Sequence, residues 1–125
     1  MRKYALLSWV LCLVPGTLLA QAPPAEPPDG AKLFRAQCAT CHTLKASEPK
    51  RQGPHLEHVY GRKIGAVEEY RYTPGYREST ETWNDDNLDR YLTNPSAMFP
   101  GSTMVYRQNK PEIRKAIIQY LKEQG

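Results

Sequence analysis

A chain of 125 residues has room for one domain beside any targeting segment. With 40% hydrophobic and 24% charged residues it has a globular balance, which excludes wholesale disorder. A formal charge of +4 falls well short of the basic stripe of a nucleic-acid binder, and three cysteines are too few for a disulfide scaffold.

Residues 1–20 read as an export signal. Arg2 and Lys3 form a positive head, Ala5 to Val14 an apolar run broken only by Ser8, and Ala20-Gln21-Ala22 a small-residue cleavage pattern. The run is shorter than the ~20 residues that span a bilayer, so an uncleaved anchor is the weaker alternative. A cut after Ala20, with Ala22 as the second choice, predicts a periplasmic protein. It removes Cys12 and two positive charges, leaving fifteen basic against thirteen acidic residues and the pair Cys38 and Cys41.

Residues 21–29 form a linker whose Pro23, Pro24, Pro27 and Pro28 forbid a helix. Asp29 is a suitable N-cap for a helix from Gly30 to about Cys38, with Leu33 and Phe34 on its apolar side. Residues 43–82 contain Pro49, Gly53, Pro54, Gly61, Gly65, Pro74 and Gly75, too many breakers for a long helix. A second helix fits Asp85 to Thr93, with Leu88, Tyr91 and Leu92 on one face and Pro95 as its stop. A third fits Pro111 to Glu123, where Ile113, Ile117, Tyr120 and Leu121 share a face. Three short helices and a long loop make a poor core for a domain of this size. The expected fold is therefore all-α and built around a prosthetic group.

Cys38-Ala39-Thr40-Cys41-His42 has the C-x-x-C-H spacing that attaches c-type haem. Two thiols three residues apart on a helical turn reach two vinyl groups on one edge of the macrocycle and add across them as thioethers. His42 then projects under the ring and offers an imidazole nitrogen to the iron. Covalent haem attachment in bacteria occurs outside the cytoplasmic membrane, which agrees with an export signal. Two rivals use the same cysteines. A redox-active disulfide lacks its βαβ context. A zinc site with His55 and His58 has its histidines too close together and no helix to carry them, so both read as solvated loop residues. Plain structural cysteines are the remaining alternative.

From Gly30 to the C-terminus the chain resembles the class I cytochromes c, close to the mitochondrial type and its bacterial relatives. The resemblance rests on Gly30-Ala31-Lys32-Leu33-Phe34, the haem motif, Gly53-Pro54-His55-Leu56, Tyr60-Gly61-Arg62-Lys63 and Trp83. It continues through Tyr91-Leu92-Thr93-Asn94-Pro95, Pro100-Gly101-Ser102-Thr103-Met104 and Ile118-Gln119-Tyr120-Leu121-Lys122. It implies the class I fold of three main short helices with long loops around one covalently bound haem c.

The resemblance also implies site residues. Met104 matches the distal iron ligand, with Met98 as its rival, and thioether ligation raises the reduction potential. Pro54 matches the proline whose carbonyl accepts from the proximal histidine. Arg62, Tyr72 and Trp83 match residues that hold the haem propionates, and Tyr91 matches the tyrosine beside the axial sulfur. Gly30, Phe34, Ile117 and Tyr120 match the crossing of the first and last helices. The chain departs from the mitochondrial type where that type rings its haem edge with lysines: here stand Gln37, Ser96, Ala97 and Thr103. Tyr106 stands where the family has an aromatic near that edge. Weak steering by acidic partners follows.

The function implied is a soluble monohaem carrier with its signal cleaved, not an enzyme, passing one electron between exported or membrane-bound redox partners as its iron cycles between Fe(III) and Fe(II). A respiratory complex and a periplasmic dehydrogenase suit equally as partners; nucleic acid and small-molecule substrates are not expected, and the carrier is expected to be a monomer. The alternative is a haem enzyme or gas sensor with a labile distal ligand. A haem-free module using Cys38 and Cys41 is the third reading.

Overall fold

The computed structural model describes residues 22–125. The expected signal segment and Cys12 lie outside these residues. Among those described, Pro23 to Pro28 have no regular secondary structure, and helix α1 begins at Gly30.

Helix α1 spans Gly30–Gln37, and its N-cap Asp29 accepts from the Lys32 amide at 3.1 Å. Next come α2, Pro74–Glu78, and α3, Asp85–Thr93. Helix α3 starts in a reciprocal capping box in which the side chains of Asn84 and Asn87 each accept the other's amide. A single turn, α4, covers Pro95–Met98, and the long α5 covers Pro111–Glu123. The bounds of α3 and α5 coincide with those the sequence predicts, and α1 stops one residue short of Cys38. No helix of the described residues is long and apolar enough to cross a membrane.

Two short helices were not expected. Pro74 opens α2, and Pro95, which also stops α3 as expected, opens α4, each at the first turn of its helix. Proline suits that place, because its fixed φ is helical and its missing N–H would have no intrahelical partner.

Helices α1 and α5 cross through Phe34, Ile117 and Tyr120; the Phe34 and Tyr120 rings lie 5.7 Å apart. The crossing is tight because Gly30 lies against α5: a β-carbon there would sit 2.8 Å from Tyr120 Cβ. Helix α3 packs on α5 through buried Leu88, Leu92, Ile118 and Leu121. A polar clamp adds to this contact, with Arg114 donating to both Asp89 carboxylate oxygens at 2.7 and 3.1 Å. The loop between α1 and α2 folds back on the residues before α3: Gly61 N donates to Trp83 O at 2.8 Å and Trp83 N to Arg62 O at 2.9 Å. This pairing brings Arg62 and Trp83, distant in sequence, side by side.

Candidate haem site

The cysteine pair lies on the turn that ends α1. Cys41 N and His42 N both donate to Cys38 O at 3.0 Å, so a helical curl continues one turn past Gln37. Both thiols are free and half-buried, and Cys38 packs on the hydrophobic core. Burial pushes the Cys38 thiol up to about 11, with the neighbouring Cys41 adding to the rise. This is opposite to the depressed value that a nucleophilic thiol needs, so Cys38 is not suited to start disulfide exchange. The zinc rival also fails to assemble: among the described residues no group of three or more His, Cys, Asp or Glu side chains could hold a metal. His58 is exposed, and His55 lies beside Arg62.

His42 is held from one side. Its Nδ1 lies 2.7 Å from Pro54 O, and since a carbonyl only accepts, Nδ1 carries the proton. The lone pair is then on Nε2, the atom that can bind a metal. Burial also lowers the His42 pKa, partly countered by the Pro54 carbonyl, so the ring is neutral at pH 7. Gly53 makes this geometry possible: a β-carbon there would sit 2.7 Å from His42 Nδ1 and 2.9 Å from Nε2. Its own amide donates to Cys41 O at 2.7 Å and closes the loop back onto the motif.

Arg62 spends its terminal nitrogens on backbone carbonyls, with Nη1 donating to Glu57 O at 2.6 Å and Nη2 to His55 O at 2.9 Å. Burial lowers its pKa, while Tyr72 and Glu57 oppose the change. The guanidinium remains charged. Its Nε is buried with no hydrogen-bond partner. A buried donor on a cation requires a partner, and an anionic group such as a haem propionate is the chemistry that fits. Burial raises the pKa of Tyr72, so its hydroxyl keeps its proton as a second donor.

The other expected residues meet in an aromatic cluster. The Trp83 ring lies 4.9 Å from Tyr91, and both pack near Phe99. At the centre is Tyr76, which the sequence did not single out. It stacks on Phe99 at 4.2 Å, and its hydroxyl hydrogen-bonds to Tyr91 Oη at 2.9 Å and Ser102 Oγ at 2.5 Å. Ser102 Oγ in turn accepts from the Met104 amide at 3.3 Å. Tyr76 thus links α2 and α3 to the segment that carries Met104. Burial first, then the Tyr76 contact, drives the Tyr91 pKa far above its ordinary value. No sequence signal pointed to Tyr76, because it lies in a stretch read as breakers. Met104 and Met98 are both half-buried against the core.

An α-helical domain whose loops converge on a Cys-x-x-Cys-His turn, with a neutral oriented histidine and an unpartnered buried guanidinium nitrogen, is a c-type haem protein of the class I fold. Residues 28–125 match the family described as Cytochrome c. A cytochrome c of Ulva intestinalis is 39% identical over 105 residues, covering 83% of this chain and 95% of that protein. One from Arabidopsis thaliana is 43% identical over 96 residues, covering 76% and 86%, and one from Theileria annulata is 42% identical over 102 residues, covering 81% and 88%. The chain belongs to the cytochrome c family and binds one covalently attached haem c. These relatives are eukaryotic. They overturn the expectation of a bacterial periplasm and point instead to the mitochondrial intermembrane space.

Proposed function

We propose that this chain is a monohaem one-electron carrier whose iron is held between His42 Nε2 and Met104 Sδ, with Cys38 and Cys41 as the thioether attachments. The haem supplies the Fe(III)/Fe(II) couple. The observation that carries the reading is the His42–Pro54 contact of 2.7 Å, which fixes the ring and leaves Nε2 as the ligand atom. Arg62, Tyr72 and Trp83 would hold the propionates, with Arg62 Nε as the donor still to be satisfied. Tyr76, Tyr91 and Ser102 keep the distal segment in place through their linked hydroxyls. With the iron held by both residues, no bond would be made or broken in a substrate, and the protein would act as a carrier rather than an enzyme.

The rim residues Gln37, Ser96, Ala97 and Thr103 carry no charge. Redox partner proteins would therefore meet a neutral face, and association rates should depend weakly on salt. The test is carbon monoxide added to the ferrous protein near neutral pH. The expected result is an unchanged spectrum; rapid binding at one molecule per haem would replace the carrier by an open-site haem enzyme or gas sensor.

A further inference from the structure

Residues 103–109 run as an extended strap. Thr103, Val105, Arg107 and Asn109 are exposed, while Met104, Tyr106 and Gln108 are half-buried, the alternation of an extended chain lying on a surface. Val105 is 91% exposed, so its side chain contributes no grip. The far end of the strap is fixed by backbone: Gln108 N donates to Leu92 O at 2.8 Å, and Gln108 O accepts from Arg114 Nη1 at 3.0 Å. The near end is held through Ser102. Between the two ends the contact is made by side chains that meet at one atom. Tyr106 Oη donates to Gln37 Oε1 at 2.6 Å, and Gln108 Nε2 donates to the same oxygen at 3.2 Å. Gln37 is the last residue of α1 and immediately precedes Cys38.

We propose that Gln37 is a positioning residue, the anchor of a neutral latch that holds the Met104 strap against α1 and sets how fast the distal side opens to small ligands. The proposal rests on Met104 being the distal ligand. A single acceptor serves two donors, so its loss leaves the Tyr106 hydroxyl without its acceptor and Gln108 Nε2 with only its longer contact to Tyr106 Oη at 3.4 Å. Both partners of the latch are uncharged, so its strength is insensitive to ionic strength.

The test is imidazole binding to the ferric holoprotein, followed optically. If Met104 must leave before imidazole enters, the rate reaches a plateau that reports opening. Gln37→Leu and Tyr106→Phe should each raise the plateau about 2- to 10-fold, the size of one net hydrogen bond. The double variant should open no faster than Gln37→Leu, since both changes break the same contact. Gln37→Glu, which keeps an acceptor oxygen, should open no faster than the wild type, and the wild-type, Gln37→Leu and Tyr106→Phe rates should not vary with added salt. A wild-type plateau left unchanged in Gln37→Leu, or Gln37→Glu opening as fast as Gln37→Leu, overturns the latch alone. A ferric wild type that lacks the far-red iron–thioether band before imidazole is added overturns the latch together with the Met104 ligation beneath it.

Discussion

The two faces of the haem site are built by different means. On the histidine side the chain does its work locally. Five consecutive residues carry both thiols and the imidazole, and Gly53 and Pro54 return a dozen residues later to fix them through one backbone bond and one carbonyl. On the methionine side nothing is local. Met104 rides on an extended strap fastened by Tyr76 from α2, Tyr91 and Leu92 from α3, Gln37 from α1 and Arg114 from α5. A site assembled from neighbours is fixed by backbone geometry and tolerates little. One assembled from four distant helices by separate hydrogen bonds is adjustable in small steps, because each contact contributes only about 1 kcal/mol.

This contrast orders the effects of substitution. Gly53→Ala should have the largest. The added carbon has to displace the His42 ring or open the loop, an overpacking cost of about 3 kcal/mol. We expect a sharply lower yield of low-spin holoprotein, read by absorbance per polypeptide. A normal yield would mean that the histidine side is as adjustable as the other. Tyr76→Phe comes next. It keeps the stacking on Phe99 but leaves Tyr91 and Ser102 each short of a partner, at about 1–2 kcal/mol. The far-red absorption of ferric iron–thioether ligation should then be lost at a lower denaturant concentration than in the wild type. Unchanged midpoints would remove Tyr76 from the fastening of the strap.

The smallest effect belongs away from both faces. Lys122, followed by the Tyr60 hydroxyl, holds the Asp85 carboxyl below its ordinary value. A depressed carboxylate stabilises the fold above its unfolded pKa, and that contribution is lost as the pH falls through the folded-state value. Asp85→Asn should therefore melt slightly lower than wild type at neutral pH and converge with it in acid, in a thermal scan at several pH values. The pair is exposed, so the difference should be small and should shrink with salt.

The same contrast decides what could be read from the sequence. The haem motif, His42 and the bounds of α3 and α5 follow from spacing, capping and periodicity, all of them local signals. The rival zinc site from Cys38, Cys41, His55 and His58 also looked local, but among the described residues no such cluster forms, with His55 beside Arg62 and His58 exposed. Pro95 was legible as the stop of α3 but not as the start of α4, nor Pro74 as the start of α2, since proline ends one helix and starts another by the same lack of an N–H. Tyr76, the Asp89–Arg114 clamp and the inward use of Gln37 were not legible. Each depends on a contact between residues at least fifteen positions apart, which no window of sequence contains. Gln37 did leave one trace, as a neutral residue where the resemblance leads to lysine. That absence of charge signalled a changed rim, and its partner Tyr106 became visible only with the fold.

The central claim, ligation by His42 and Met104, is tested most directly by the ferric absorption spectrum of the wild type beside Met104→Ala and Met98→Ala. The account predicts the weak far-red band of iron–thioether ligation in the wild type and in Met98→Ala, and its complete loss in Met104→Ala. A band that survives Met104→Ala, or disappears with Met98→Ala alone, would contradict it.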